Sequence, residues 1–490
     1  MSVPYFWVDD HTFMLNFIDK VLCHFESCFS RKASFRWFVT ITVGFMLRSD
    51  KLGVTSVIRD LALSPDSYLS MIHFFRASSW SLDAVRRCWF SAVKAYFPLY
   101  EEENFHVLVG DGVKQSKEGR RMPGVKKLFQ ESENSAKPEY IHSHMFGGLG
   151  ILAGNAKSWA CIPLSIRLHD GLQAACEWEG ASISPASHVV KMVGDAYRAA
   201  QTFGNCFLLL DRYFLTVPAL RTLNALNRSG TVRLEIVSKA KKSCTAFEKP
   251  VPKKPGRGRP PKKGTSIHLK ELFASRKEQF LETQVELYGK LETIRYCHID
   301  LLWGQKLYQG LRFVLVEMNG IQSILASTSL ELEPLSIIRL YSYRFRIECT
   351  FRELKQQIGA FCYHFWSKHM PKISHYQKRE DPNPLEQVED ERSRRNILKA
   401  VRATEMHMTV SCIAMGILQG ISVCKAGELS SNQLRYQRTP SQGRVSEGAL
   451  MAHLRKYFFL FMEKQPELHI TQIIQEQQDT SWIYWDSLAS

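Results

Sequence analysis

The sequence predicts an α/β chain: a mixed-sheet core, interrupted by a β-rich insertion, between a helical N-terminal domain and a helical C-terminal region. Three observations lead there. Apolar runs of strand length alternate with helix-periodic stretches between residues 105 and 237. A proline- and lysine-rich break follows, and then two more strand-like runs. Helical spacing dominates both ends of the chain.

Val57 to Leu63 and Asp83 to Tyr96 have helical apolar spacing, with breaks or caps at Ser64-Pro65 and Ser79 to Ser81. The resulting 1–100 domain is a candidate helix-turn-helix DNA reader or a packing bundle. From Phe105 the pattern changes to a buried strand that reaches Asp111 at an expected turn. Strands are expected at Met145 to Leu152 and Trp159 to Leu168, a helix at Ala186 to Thr202, and a strand from Cys206 to Asp211. A helix from Val217 to Leu226 and a strand from Thr231 to Val237 complete the series. Three strands, helix, strand, helix, strand is the order of a ribonuclease H-like core, here 101–240.

Lys239 to Lys263 holds ten Lys or Arg, five prolines and one acidic residue, a composition that neither packs as a helix nor pairs as a central strand. Within it, Gly256-Arg257-Gly258-Arg259-Pro260 resembles an AT-hook core, which would lie in a narrow minor groove. A solvated loop touching phosphates through Arg257, Arg259, Lys262 and Lys263 is the alternative. Strand-like runs at Leu281 to His298 and Leu311 to Thr328 make 241–332 a β-rich insertion. A helix from about Leu335 to Ile358 opens the second part of the core, 333–425, and 426–490 reads as helical.

The chain's 490 residues are 45% apolar, with room for two to four domains of roughly 100–200 residues each. Its 64 basic and 48 acidic residues give a net charge of +16, which favours a polyanionic partner. Membrane surfaces also attract basic proteins. However, no basic start leads into an apolar run, and Phe35 to Leu47 is short of the roughly 20 residues needed to span a bilayer. Met408 to Cys424 approaches that length but carries Ser411, Gly416, Gln419 and Gly420, which reads as a buried helix. A cytoplasmic protein associated with the bacterial nucleoid, with no membrane partner, is the expectation. Twelve cysteines form no C-x-x-C pair, and neither Cys23-His24-Cys28 nor His142 with His144 completes a zinc set.

The sharpest chemical signal is Tyr341, Arg344, Glu348 and Lys355. On a continuous α-helix at about 100° per residue, these four share a stripe about 60° wide, with Arg352 beside it. Exposed i,i+4 ion pairs from Arg344 to Glu348 to Arg352 would explain the helix alone. They leave Asp111 and Asp211 unexplained. Three carboxylates from two strands and a helix are the hard oxygen donors that Mg²⁺ prefers. A pair of such ions supports in-line phosphoryl transfer. Glu353 is off the stripe, and Asp170 and Asp195 are less well placed, Asp195 within a helical pattern.

The spacing Y-x2-R-x3-E-x6-K, filled by these four residues, resembles the signature of the insertion-sequence 4 type of DDE transposases. The resemblance runs from Asp111 to about Lys368. It implies that Asp111, Asp211 and Glu348 bind two Mg²⁺ ions (or Mn²⁺) and carry catalysis, while Tyr341, Arg344 and Lys355 hold DNA backbone. It also implies double-stranded partners, the transposon's terminal inverted repeats and target DNA, and a homodimer on two paired ends. Trp303 and Trp366 are candidates for stacking on a flipped base, against ordinary packing. Two other functions compete: a non-catalytic DNA-binding protein derived from a transposase, and a structure-specific nuclease on the same core.

Overall fold

The computed structural model describes residues 12–130, 138–155, 158–178, 183–251, 260–374, 376, 381–424 and 444–479. Arg257 and Arg259 lie outside the described residues. Among the described residues five α-helices come first: α1 (Thr12–Cys23), α2 (Lys32–Leu47), α3 (Thr55–Asp60), α4 (Ser67–Arg76) and α5 (Leu82–Tyr96). The Ser81 hydroxyl accepts from Ala84 N at 3.2 Å and caps α5, satisfying one of the amides that every helix start leaves unpaired.

The sheet then builds from β1 (Glu101–Glu102), β2 (Phe105–Ser116), β3 (Lys126–Phe129), β4 (Tyr140–Asn155) and β5 (Ser158–Leu168). Next come α6 (His188–Phe203), β6 (Cys206–Leu210), α7 (Val217–Ser229) and β7 (Leu234–Ala240). β2, β6 and β7 are parallel neighbours, and β4 joins β2 antiparallel on its other side. The central strand β6 is apolar on both faces, and every one of its residues is buried.

The basic break is followed by β8 (Thr245–Phe247), β9 (Ser266–His268), the short α8 (Leu272–Ser275), β10 (Leu281–Leu287), β11 (Lys290–Trp303), β12 (Gln309–Met318) and β13 (Ile321–Ser327). β13 pairs antiparallel with β7, so the inserted strands extend the sheet already begun. The result is one mixed sheet in the order β3-β4-β2-β6-β7-β13-β12-β11-β8-β9, with β1 on β2, β5 on β4 and β10 on β11.

After the sheet come α9 (Pro334–Tyr343), α10 (Arg346–Glu353), α11 (Glu391–Cys424), α12 (Glu447–Lys464) and α13 (His469–Gln475). α11 is long and apolar enough to cross a membrane, but 89% of its most apolar window is buried against the rest of the fold. It packs on β5, α2 and α4, and α2 presents an almost unbroken buried surface from Phe38 to Leu47. The N-terminal helices therefore share a core with the C-terminal ones.

Two expectations need correction. Asp111 does not end a strand at a turn: β2 continues to Ser116, because β4 pairs with it all the way to Ser143. What ends near Asp111 is the parallel pairing with β6, whose last matched pair is Val109 and Leu209. Nor is Leu335 to Ile358 one α-helix. It is interrupted at Arg344-Phe345, and residues Leu354–Ile358 form a π-turn closed by Gly359 at φ 65°.

Candidate active site

β2 and β6 carry the two aspartates to the same place. Continuing their register two residues beyond Val109 and Leu209 sets Asp111 beside Asp211, which directly follows β6. Along β2, side chains alternate between faces. A Cβ at Gly110 would meet Met192 of α6, and one at Gly112 would meet His188 at the start of α6. Asp111 therefore faces the other way, toward α10. Gly148, paired with Asp111, gives room there: a Cβ would come within 2.5 Å of the Phe351 ring.

Three anchors hold α9 and α10 over this point. Glu102 in β1 accepts hydrogen bonds from Ser336 Oγ and Arg339 Nη2, each at 2.6 Å, and from the Tyr100 hydroxyl. Because β1 pairs with β2, this ties α9 to the strand that carries Asp111. Thr350 Oγ1 donates to Cys161 O at 2.8 Å and fixes α10 to β5. Beyond the π-turn, Lys117 Nζ donates to Phe361 O at 2.7 Å and Tyr363 O at 2.9 Å, binding the exit of the helix to the end of β2.

The centre is organised by Arg344. Its Nη1 donates to Asp111 Oδ2 at 3.1 Å, while its Nη2 donates to Glu348 Oε1. Burial pushes the Asp111 carboxyl above its usual range, and Arg344 and the amide of Gly112 hold it back. Burial also works against the Arg344 charge, but Asp111 and Glu348 outweigh it and raise its pKa. Tyr341 lies within electrostatic reach of Asp211 and Asp111; burial is the main cause that pushes its phenol up. Asp111, Asp211, Tyr341, Arg344 and Glu348 thus share one neighbourhood. The three carboxylates do not close into a single knot among the described residues: Asp111 and Glu348 meet through Arg344, and Asp211 stands at the neighbouring strand end.

Other expected residues fall elsewhere. Lys355 stands in the π-turn; its ammonium lies 5.3 Å from the Phe361 ring centre, and burial lowers its pKa. Arg352 pairs with Glu353 at 3.1 Å instead of reaching Glu348. Lys263 rests over Phe247, 4.0 Å from the ring centre, beside the sheet edge formed by β8 and β9; Lys262, its neighbour, is exposed. Asp195 is buried among Arg167, His169 and Arg198, and Asp170 pairs with Lys126. His144 is fully buried between the Tyr363 hydroxyl and Pro123 O.

One residue was invisible to periodicity. Tyr288, at the tip of the β10–β11 hairpin with φ 55°, sets its ring 5.9 Å from Phe345, and Arg344 lies near enough to act on its phenol. Its only sequence signal is the Tyr-Gly turn. Trp366 is exposed and Trp303 is partly buried against the core.

No curated protein matches this chain. The profile of a family described as DDE superfamily endonuclease matches residues 24–287, a span that contains Asp111 and Asp211 and stops before Tyr341. With more than half of its length matched, the chain belongs to the DDE superfamily endonucleases.

Proposed function

We propose that this chain is a DNA transposase of the insertion-sequence 4 type, which cleaves and joins transposon ends by metal-dependent phosphoryl transfer. The observation that carries the reading is the meeting of Asp111 and Glu348 on the Arg344 guanidinium, with Asp211 at the adjoining parallel strand end. The strand order β5-β4-β2-β6-β7, with β4 and β5 antiparallel and the last three parallel, supports a ribonuclease H-like core.

The donor set fits Mg²⁺ or Mn²⁺: three carboxylates, with a cationic side chain already accommodated between two of them. Asp111, Asp211 and Glu348 would hold two ions. When bound, such ions supply Lewis-acid stabilisation of the attacking and leaving oxygens. The chain's own residues do the positioning. Arg344 is a planar fork suited to a phosphate as well as a carboxylate, so it can pass from Asp111 and Glu348 to the DNA backbone. Tyr341 brings a protonated phenol, a hydrogen-bond donor, beside the same point. Lys355 and the basic residues Arg257, Arg259, Lys262 and Lys263 are assigned to flanking phosphates. Arg352 is assigned to the backbone beyond them.

In this reading the partners are terminal inverted repeats and target DNA, a homodimer forms on two paired ends, and the protein works at chromosomal DNA. The family's description as endonuclease favours a second reading in which the chain cuts and never joins. Incubating purified protein with end-bearing DNA and Mg²⁺, and scoring nicks, hairpins and joined products, separates them. Joined products are expected. Cleavage without joining supports the nuclease, and DNA binding with neither product supports a non-catalytic protein. Asp111→Asn, Asp211→Asn and Glu348→Gln should each abolish cleavage and spare end binding; retained cleavage in any of them removes that residue from the set.

A further inference from the structure

A cavity of about 640 Å³ lies where the end of the edge strand β5 meets α5, α6 and α11. None of the three candidate catalytic carboxylates lines it. Its volume is in the range of small-molecule sites, roughly 300–1,000 Å³. Its lining is unusual: eight Lys or Arg side chains face three carboxylates.

The carboxylates are already engaged. Glu405 accepts from Arg86 Nη2 and from the amide of Leu168, both at 3.1 Å. Asp195 takes Arg167, Arg198 and His169. Asp83 lies 3.4 Å from Arg86 Nη1. Arg76 and Lys399 have no acidic partner among the described residues, and Arg402 donates from Nε and Nη2 to the carbonyls of Ala77 and Trp80. Deeper in, Arg86 is 5% exposed, and its guanidinium serves both Glu405 and Asp83. The Arg402 charge is disfavoured, first by burial and then by Arg86, a strain that a bound anion would relieve.

We propose that this cavity binds a compact, multiply charged phosphate ligand. Arginine forks match phosphate oxygens two at a time, and a partly enclosed cationic cavity strengthens each contact relative to open water. The inference is independent of the transposase reading, because its residues lie outside the proposed catalytic set.

The test uses the full chain in the presence of a chelator, so that divalent ions do not bind phosphate themselves. Inorganic pyrophosphate, ATP and a short single-stranded oligonucleotide are titrated by calorimetry. The Arg76→Glu/Lys399→Glu double variant changes two exposed side chains and should keep the unfolding temperature of the parent. It should weaken binding at least about tenfold, while Asp111→Asn should leave it unchanged. Pyrophosphate or ATP binding that depends on these residues identifies a free phosphate compound. Oligonucleotide binding alone with the same dependence overturns the compact ligand and assigns the cavity to DNA backbone. If all three probes fail to bind, or bind the double variant as tightly as the parent, the proposal is overturned. Lys399→Ala provides the same test should the double variant fail to fold.

Discussion

The guanidinium of Arg344 lies 3.1 Å from the carboxylate of Asp111, joining the α9–α10 turn to the middle of β2 across 233 residues of sequence. The same group reaches Glu348 one turn later. Arg344 is therefore the counter-charge of the very carboxylates proposed to hold metal.

Replacing Arg344 by Ala tests this. Asp111 would remain largely buried without its partner, at a cost of about 1–3 kcal/mol at neutral pH. Its carboxyl, already pushed up by burial, would rise further. An acid raised in the folded state takes up its proton before the unfolded chain does, so the deficit should shrink as pH falls. Urea unfolding at neutral and mildly acid pH measures it. Mn²⁺ binding, read by electron spin resonance, should tighten in Arg344→Ala because no guanidinium competes. Weaker Mn²⁺ binding would show that Arg344 supports the ions.

Gly148→Ala probes the gap between β4 and α10. The new methyl would press on Phe351 and push α10 away from the sheet, shifting Glu348 relative to Asp111. Overpacking of this kind costs about 1–3 kcal/mol. Cleavage should fall by more than stability alone explains. Parental cleavage and an unchanged unfolding temperature would mean that α10 does not depend on this contact.

Acid should destabilise the fold from about pH 6.5 downward. Burial holds His144 down to about 3 from its ordinary value of 6.5, and His188 likewise to about 3. Between those values the unfolded chain binds protons that the native histidines refuse, so stability rises with pH across that window and is lost as pH falls. His144→Gln should flatten the slope by about one proton. A slope equal to that of the parent would exclude His144 as a contributor.

Substituting Arg257, Arg259, Lys262 and Lys263 together by Ala should weaken DNA binding without altering cleavage chemistry at saturating DNA. Each lost phosphate contact removes about 0.9 from the slope of log affinity against log salt. An unchanged slope in filter-binding titrations would assign these residues another task.

Some of this protein is written in short-range pattern. The buried runs at Val107 to Val109 and Cys206 to Leu210, the cap at Ser81, and the helix from Val217 depend on neighbours a few residues away. Apolar alternation and capping chemistry are local, so the mixed α/β class was readable. Asp111 and Asp211 stand out in the sequence because each follows such a run.

The tertiary structure decided the remainder. The inserted strands join the existing sheet because β7 leaves an edge that β13 can pair, a choice no single strand encodes. The π-turn after α10 and the left-handed Gly359 bring Phe361 within 5.3 Å of the Lys355 ammonium, which a strict helical projection does not anticipate. Arg344 selects Asp111 only when β2 and the later helix pack face to face, and Tyr288 arrives beside them only through the hairpin register. Sequence determined the principal strands and helices of the core, since those preferences are satisfied within a few residues. Which charges meet depended on long-range packing, where burial strengthens each pairing and sequence distance carries no information.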